Sequence, residues 1–367
     1  MKSAYKYTLF FAGICFVILV IMLAIGYQAE VAPVVIVGLL ALAVGLRGHD
    51  FFQRFSYSVI IFSSVSASLF YPGVFTTWGS FKLSVLIVPL LQLIMFGMGT
   101  AMSVKDFVGV IKMPKAVGIG LICQFTIMPV IGFTLVSLFG FPPEIAAGVI
   151  LVGTSPSGLA SNVMSYIAKA NLALSVTLTA CATLLAPVLT PFLMQVFAGQ
   201  FIPIDFLGMM WSITKIVILP IIAGLIFNHF FHGKAEWLDK AMPIVSMAGI
   251  AVIITVITAS GRDSLLNIGL ALVVAAILHN AGGYFLGYWA CRLFQMPEKD
   301  CRTIALEVGM QNSGLASGIA LEMGKVATVG LAPAVFGPWM NISGSSLATW
   351  WREKPVKYEE LELKTAE

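Results

Sequence analysis

Glu307 stands in the run T-I-A-L-E-V-G-M-Q (Thr303–Gln311), with Gln311 and Asn312 one turn further on. In a chain this apolar, a charge at the bilayer centre costs roughly 2.5–3.5 kcal/mol on insertion scales. Something must offset that cost. A protonated carboxyl or a structural base would do so, and His279 and Lys215 are the basic residues read at comparable depth. A bound cation is the sharper reading. Hard cations take oxygens from carboxylates, hydroxyls, amides and backbone carbonyls. Ser161, Asn162 and Gln311 supply such oxygens, as do carbonyls freed around Val308 and Met310. Ser175 and Thr179 are spaced i, i+4, so their hydroxyls share one helix face. Hydroxyls on an apolar helix usually bond back to their own backbone, so the spacing alone leaves their role open.

Glu307 borders one of two stretches that nearly repeat each other. G-T-S-P-S-G-L-A-S (Gly153–Ser161) and G-M-Q-N-S-G-L-A-S (Gly309–Ser317) share six of nine residues at an offset of 156 (153 to 309). The same offset pairs Gln124 in L-I-C-Q-F with Asn280 in I-L-H-N-A. Pro142, Pro143 and Glu144 precede the first stretch, and Pro297 and Glu298 the second. Pro156 lacks an N–H and clashes with the preceding turn. With Gly153 and Gly158 around it, the helix should break near residues 154–157. Gly309 and Gly314 flank Gln311 and Asn312 in the partner stretch. Broken backbone is tolerated at membrane depth where it is buried in protein or lines a wet cavity. Free N–H groups there would suit an anion, and free carbonyls a cation. The rival reading is close helix packing through small-xxx-small pairs, which Gly314 and Gly318 fit. Packing alone does not call for Gln311, Asn312 or Glu307.

The elements that position these residues follow from hydropathy and charge. Of 367 residues, 59% are hydrophobic and 10% charged, against about 25% charged in globular domains, which defines an all-α polytopic membrane protein. The +4 net charge lies beside apolar spans and implies no nucleic-acid partner. Cys15, Cys123, Cys181, Cys291 and Cys301 are scattered and form neither a disulfide framework nor a C-x-x-C pair. The 20-residue run Thr8–Tyr27 exceeds a signal-peptide core and has no clean A-x-A site after it, so it reads as a retained helix.

Twelve spans are expected, at about 20 residues each: 8–27, 31–46, 56–71, 83–101, 116–138, 144–168, 172–198, 207–228, 241–260, 266–291, 302–323 and 329–350. Lys and Arg favour the cytoplasmic side. An even count with both termini in the cytoplasm puts seventeen of 21 basic residues inside, among them Lys105, Lys112, Lys115 and Lys234. Lys82, Arg262 and Lys325 fall outside, and Lys215 lies within a span. On this topology the two related stretches run in opposite directions. The last ten helices therefore read as a five-plus-five inverted repeat with two crossing discontinuous helices, a plan common in secondary transporters. The expected organisation is a two-helix extension (1–54), a first repeat (55–200), a second repeat (201–352) and a cytoplasmic tail (353–367).

The motifs resemble those of the bile acid:sodium symporter family, in particular its bacterial members. E-V-G-M-Q-N-S-G-L-A (Glu307–Ala316) carries the closest likeness, with A-S-N-V-M (Ala160–Met164), C-Q-F-x-I-M-P (Cys123–Pro129), L-H-N (Leu278–Asn280) and N-I-S-G-S (Asn341–Ser345). The likeness runs from about Phe55 to Arg352. It implies a core domain sliding against a panel domain, in a bacterial inner membrane. It implies two Na+ ions coupled to an organic anion, bile-acid-like or a small carboxylate such as pantoate. By the same resemblance, the first ion is bound by Ser161, Asn162, Ser175, Thr179 and Glu307. The second is bound by Gln124, Glu307, Gln311 and the carbonyls of Val308 and Met310. The substrate faces Ser157, Gly158, Leu159, Asn312, Met340 and Asn341.

Two departures bear on the substrate. The family commonly reads C-P-G-G-T-x-S-N where this chain has S-P-S-G-L-A-S-N, so Ser157 replaces a glycine and Leu159 a threonine. Met340 stands where the bacterial pattern has histidine. The first two helices lie outside the ten-helix pattern and suggest packing or a homodimer contact. An intramembrane enzyme would need a nucleophile with a base, or a metal site, and neither H-E-x-x-H nor G-x-S-x-G occurs. His49, His229 and His232 are expected in loops, and His279 as a satisfied residue of helix packing. A channel or sensor, and proton coupling through Glu307, are the remaining alternatives.

Overall fold

The structure, a computed structural model, describes residues 3–27, 30–49, 52–103, 108–231, 236–354 and 356. Lys2, Gln28, Lys105, His232, Lys234, Lys357 and Lys364 lie outside the described residues, as does the tail from 357 onward. The chain is helical nearly throughout. Its helices are α1 (Ser3–Ala24), α2 (Val31–Leu46), α3 (Ser56–Phe70), α4 (Pro72–Thr76), α5 (Ile87–Ala101), α6 (Val108–Lys112), α7 (Pro114–Phe139), α8 (Pro143–Thr154) and α9 (Leu159–Ile167). They continue as α10 (Leu172–Ala198), α11 (Phe206–Ile213), α12 (Leu219–Phe231), α13 (Glu236–Ser260), α14 (Arg262–Leu293), α15 (Glu298–Gly309), α16 (Ser313–Glu322) and α17 (Leu331–Arg352). Seven helical segments among the described residues are long and apolar enough to cross a membrane: Ala4–Ala24, Leu83–Ala101, Pro114–Phe139, Leu172–Ala198, Phe206–Phe231, Ala241–Ser260 and Arg262–Leu293. Val31–Leu46, Ser56–Phe70 and Pro143–Thr154 are shorter apolar helices.

Each of the twelve expected spans is occupied by helix, but three differ in detail. The stretches 144–168 and 302–323 are each two half-helices, α8 with α9 and α15 with α16. The span 207–228 is one run in which α11 passes into α12 through a π-helical segment, Thr214–Ile218. Such a segment adds one residue to a turn and leaves no hydropathy signature. Two small features escape hydropathy as well. One is the hairpin β1 (Thr77–Trp78) with β2 (Phe81–Lys82), turned at Gly79, whose φ is +61°. The other is the single-turn helix α6. His229, expected in a loop, lies in the last turn of α12.

Two sets of helices pack closely among themselves. Helices α7, α8, α10, α14, α15 and α17 pack on one another, and α3, α5, α12 and α13 form a second set. In the second set, α5 and α12 meet backbone to backbone. A Cβ at Gly99 would collide with the backbone of Ile221, and one at Gly224 with that of Phe96. In the first set the half-helices lie deepest: every residue in Ile145–Ser157 and in Asp300–Asn312 is buried. Burial of such apolar runs contributes roughly 25 cal/mol per Å² where it removes surface from water. Within a bilayer, close packing of small residues does more of the work. Gly153 serves it, since a Cβ there would stand 2.6 Å from the Met128 carbonyl oxygen. Gly318 serves it too, because a Cβ there would meet Leu91 of α5.

The N-terminal pair sits at one edge. α1 packs on α2, and α2 packs on α3. Ser56 Oγ donates to the Ala43 carbonyl at 2.7 Å, Ser63 Oγ to the Ile36 carbonyl at 3.1 Å, and Arg47 Nε to Ser56 Oγ at 3.1 Å. Tyr7, Phe10 and Phe16 of α1 are exposed and fit contact with lipid.

Candidate functional site

The two breaks meet. After α8 the chain runs extended through Ser155, with Pro156 following, and α9 starts at Leu159. After α15, Met310–Asn312 cross this segment. Ser157 and Gln311 form an antiparallel bridge, with Gly158 N donating to Met310 O at 3.2 Å and Asn312 N to Pro156 O at 2.8 Å. Each broken helix thus satisfies part of the other's freed backbone, as buried peptide groups require. Long helices supply the rest. Gln124 Nε2 on α7 donates to Ser155 O at 3.0 Å, and Asn280 Nδ2 on α14 donates to Gly309 O at 2.7 Å. These two amides, paired by the sequence offset, do near-equivalent work at the two breaks. Thr190 Oγ1 donates to Thr154 O at 2.8 Å, and Asn312 Oδ1 caps α16 by accepting from Leu315 N at 2.9 Å.

Glu307, 2% exposed, presents both carboxylate oxygens to hydroxyls at this crossing. Oε1 accepts from Ser161 Oγ at 2.6 Å and Ser175 Oγ at 2.5 Å; Oε2 accepts from Ser157 Oγ at 2.6 Å and Thr179 Oγ1 at 2.9 Å. Asn162 Oδ1 lies 2.8 Å from Ser175 Oγ and 3.0 Å from Thr179 Oγ1. Ser161 Oγ also approaches Gly158 O at 2.7 Å. A hydroxyl has one proton to donate. Ser161, Ser175 and Thr179 each face two acceptors with that one proton, so oxygen lone pairs outnumber protons. No Lys, Arg or His pairs with Glu307 among the described residues. A compact, anionic, oxygen-rich cluster of this kind suits a hard cation.

A second oxygen cluster lies one turn away. Gln124 Nε2 donates to Gln311 Oε1 at 2.7 Å, and Gln311 Nε2 to Val308 O at 2.6 Å. Both acceptors of the Gln124 amide face Nε2, so its Oε1 points elsewhere. That oxygen is buried and has no hydrogen-bond partner among the described residues. A buried orphan acceptor costs about 1–3 kcal/mol, and a cation ligated there would relieve it. Here Glu307 makes its hydrogen bonds to the hydroxyl cluster; none joins it to Gln124 or Gln311.

The residues expected to face a substrate divide. Gly158, Leu159 and Asn341 are half-buried, and Asn341 Nδ2 donates to Gly337 O at 3.1 Å. Asn312 and Met340 are buried, and Met340 Sδ accepts from Gln311 N at 3.2 Å. Ser157 is also buried, with its hydroxyl on Glu307. His279 is fully buried on α14; its Nε2 lies 3.1 Å from Met128 O, while Nδ1 has no hydrogen-bond partner among the described residues. The expected satisfied residue of helix packing makes one hydrogen bond, through Nε2. Sequence reasoning missed the bridge between the breaks and the contact of Ser343 Oγ with Asn280 Oδ1 at 2.5 Å. Neither has a periodicity to announce it.

Residues 88–268 match the profile of the Sodium Bile acid symporter family. The chain is 43% identical over 306 residues to a Bacillus subtilis protein named an uncharacterized sodium-dependent transporter, YocS, covering 83% of this chain and 92% of that one. It is 35% identical over 267 residues to a probable chloroplastic sodium/metabolite cotransporter, BASS1, of Arabidopsis thaliana, covering 73% of this chain and 67% of that one. It is 35% identical over 249 residues to the human ileal sodium/bile acid cotransporter, covering 65% of this chain and 70% of that one. Helical, polytopic and matched along most of its length to transporters, the protein is a membrane transporter and not an enzyme, and it belongs to the Sodium Bile acid symporter family.

Proposed function

We propose that the chain is a sodium-coupled symporter that carries an organic anion by alternating access. One observation carries the reading: a buried carboxylate at the crossing of two broken helices, ringed by hydroxyls and an amide oxygen and lacking a basic partner. Ser161, Asn162, Ser175, Thr179 and Glu307 would hold one Na+. The orphan Gln124 Oε1, with Gln311 and the Val308 and Met310 carbonyls, supports a second. Two cations against one carboxylate leave one positive charge, which a monoanionic substrate balances. The N-termini of α9 and α16 start at the crossing and add favourable dipole ends for that anion. Substrate would contact Gly158, Leu159, Asn312, Met340 and Asn341, and the exchange of a threonine and a histidine for Leu159 and Met340 favours a less polar carboxylate. Both termini lie in the cytoplasm on this reading, in a bacterial inner membrane. A thermal-stability screen of carboxylates tests it: stabilising anions should act in sodium and not in potassium at equal ionic strength. Stabilisation equal in both salts would oppose the coupling.

Alternating access requires the two sets of helices to move against each other. Glu322, at the end of α16, joins that half-helix to α11 and the π-helical segment: its Oε2 accepts from Ser212 Oγ at 2.9 Å and lies 3.6 Å from Lys215 Nζ. Lys215 projects from the π-helical segment beside a cavity of about 330 Å³ lined by Asp205, Ser212, Glu322 and Lys325. Both partners are partly exposed, so the pair contributes little to overall stability. Glu322→Gln is expected to change turnover several-fold and leave sodium affinity unaltered. Uptake rates set beside sodium-dependent stabilisation will check this.

The extension α1–α2 contributes nothing to either oxygen cluster. Deleting residues 2–47 removes two helices, so the parity of the remaining spans is kept. The expected product has lower expression but preserved sodium-coupled uptake per folded molecule, measured against the monodisperse fraction by size exclusion. A well-folded truncation without uptake would make the extension part of the mechanism.

A further inference from the structure

We propose that Ser157 is a ligand of the first sodium ion, adding an oxygen to the cluster around Glu307, Ser161, Asn162, Ser175 and Thr179. The inference rests on the sodium reading of that cluster. Four observations lead to it.

The first is placement. Ser157 is 1% exposed, while its neighbours Gly158 and Leu159 are half-buried. Its hydroxyl faces inward, onto Glu307 Oε2. The second is distance. Ser157 Oγ lies 2.6 Å from Glu307 Oε2 and 3.5 Å from Thr179 Oγ1, and Ser161 Oγ lies 3.4 Å from the same Thr179 oxygen. Around a hard cation with oxygens at about 2.4 Å, adjacent ligands sit roughly 3.4 Å apart. The Ser157, Thr179 and Ser161 hydroxyls already have that spacing.

The third observation is valence. Ser157 gives its one proton to Glu307 Oε2, which leaves its lone pairs free. Its remaining contact is the long one to Thr179. The fourth is rigidity. Ser157 is held in the bridge to Gln311, between Pro156 O bonded to Asn312 N and Gly158 N bonded to Met310 O. Proline fixes φ immediately before it. The hydroxyl is thus presented by backbone that both breaks pin in place, and little conformational freedom is lost when a ligand binds it. An added, pre-positioned oxygen should strengthen sodium binding and sharpen discrimination against larger cations.

The test uses the full-length protein and sodium alone. Thermal stabilisation is titrated with NaCl against potassium at constant ionic strength, for wild type, Ser157→Ala, Ser157→Thr and Glu307→Gln. Ser157→Ala is expected to weaken sodium about tenfold, roughly the worth of one good charge-assisted contact. Ser157→Thr keeps the hydroxyl and should retain most of the affinity, which separates lost ligation from disturbed folding. Anion affinity of Ser157→Ala, measured at saturating sodium, should match wild type. If Ser157→Ala binds sodium like wild type while Glu307→Gln does not, the proposal is overturned and the sodium reading stands. Weakened anion binding at saturating sodium, with sodium affinity intact, would return Ser157 to the substrate face and also overturn it. Absence of any sodium-specific stabilisation in wild type would instead remove the reading on which the proposal rests.

Discussion

Glu307→Gln is expected to abolish sodium-dependent stabilisation and sodium-driven uptake together. The substitution keeps the side chain's shape but removes its charge and brings in two N–H donors. Those donors would enter a cluster where Ser157, Ser161, Ser175 and Thr179 already direct protons at the carboxylate. The surplus of lone pairs that suits a cation disappears. In wild type, sodium at about 100 times its dissociation constant should stabilise the fold by roughly 2.7 kcal/mol. The variant should show almost none of this. A full sodium shift in Glu307→Gln would place the ion elsewhere.

Gln124→Met should produce the second large effect, by a different route. Methionine fills similar volume but removes the orphan acceptor Oε1 and the donor that serves Ser155 O and Gln311 Oε1. The hydroxyl cluster around Glu307 is left intact. Uptake in wild type should rise steeply with sodium concentration, with a Hill coefficient approaching about 2, the number of coupled sites. In Gln124→Met the steepness should fall to about 1 or uptake should be lost, while one sodium-dependent stabilising event persists. An unchanged steepness would remove Gln124 from the second ion site.

The sequence carried the helices because hydropathy and the basic residues beside the spans report them directly. The breaks were legible as well, since Pro156 and the glycines around 153–158 and 309–314 leave few other conformations. Gln124 and Asn280, paired only by a spacing, turn out to donate to carbonyls at the two breaks. What was not legible has a common cause. Residues in broken backbone obey no helical or strand period, so no pattern shows which way they point. The family resemblance places Ser157 at the substrate face; its hydroxyl donates to Glu307 Oε2 at 2.6 Å. The Ser157–Gln311 bridge and the Lys215–Glu322 pair join positions more than 100 residues apart, which one sequence cannot bring together. In the repeated stretches close packing and polar clustering stand side by side: Gly153 and Gly318 admit neighbouring groups, while the polar residues beside them form the oxygen clusters.

The central claim is that sodium drives transport through the cluster on Glu307. The most direct measurement is uptake of an anion that stabilises the protein, into proteoliposomes carrying an imposed gradient of either sodium or protons. Accumulation above equilibrium with an inward sodium gradient at equal pH, and none with an inward proton gradient in sodium-free potassium buffer, is the predicted result. Accumulation driven by protons in the absence of sodium would contradict the account and make Glu307 a proton carrier.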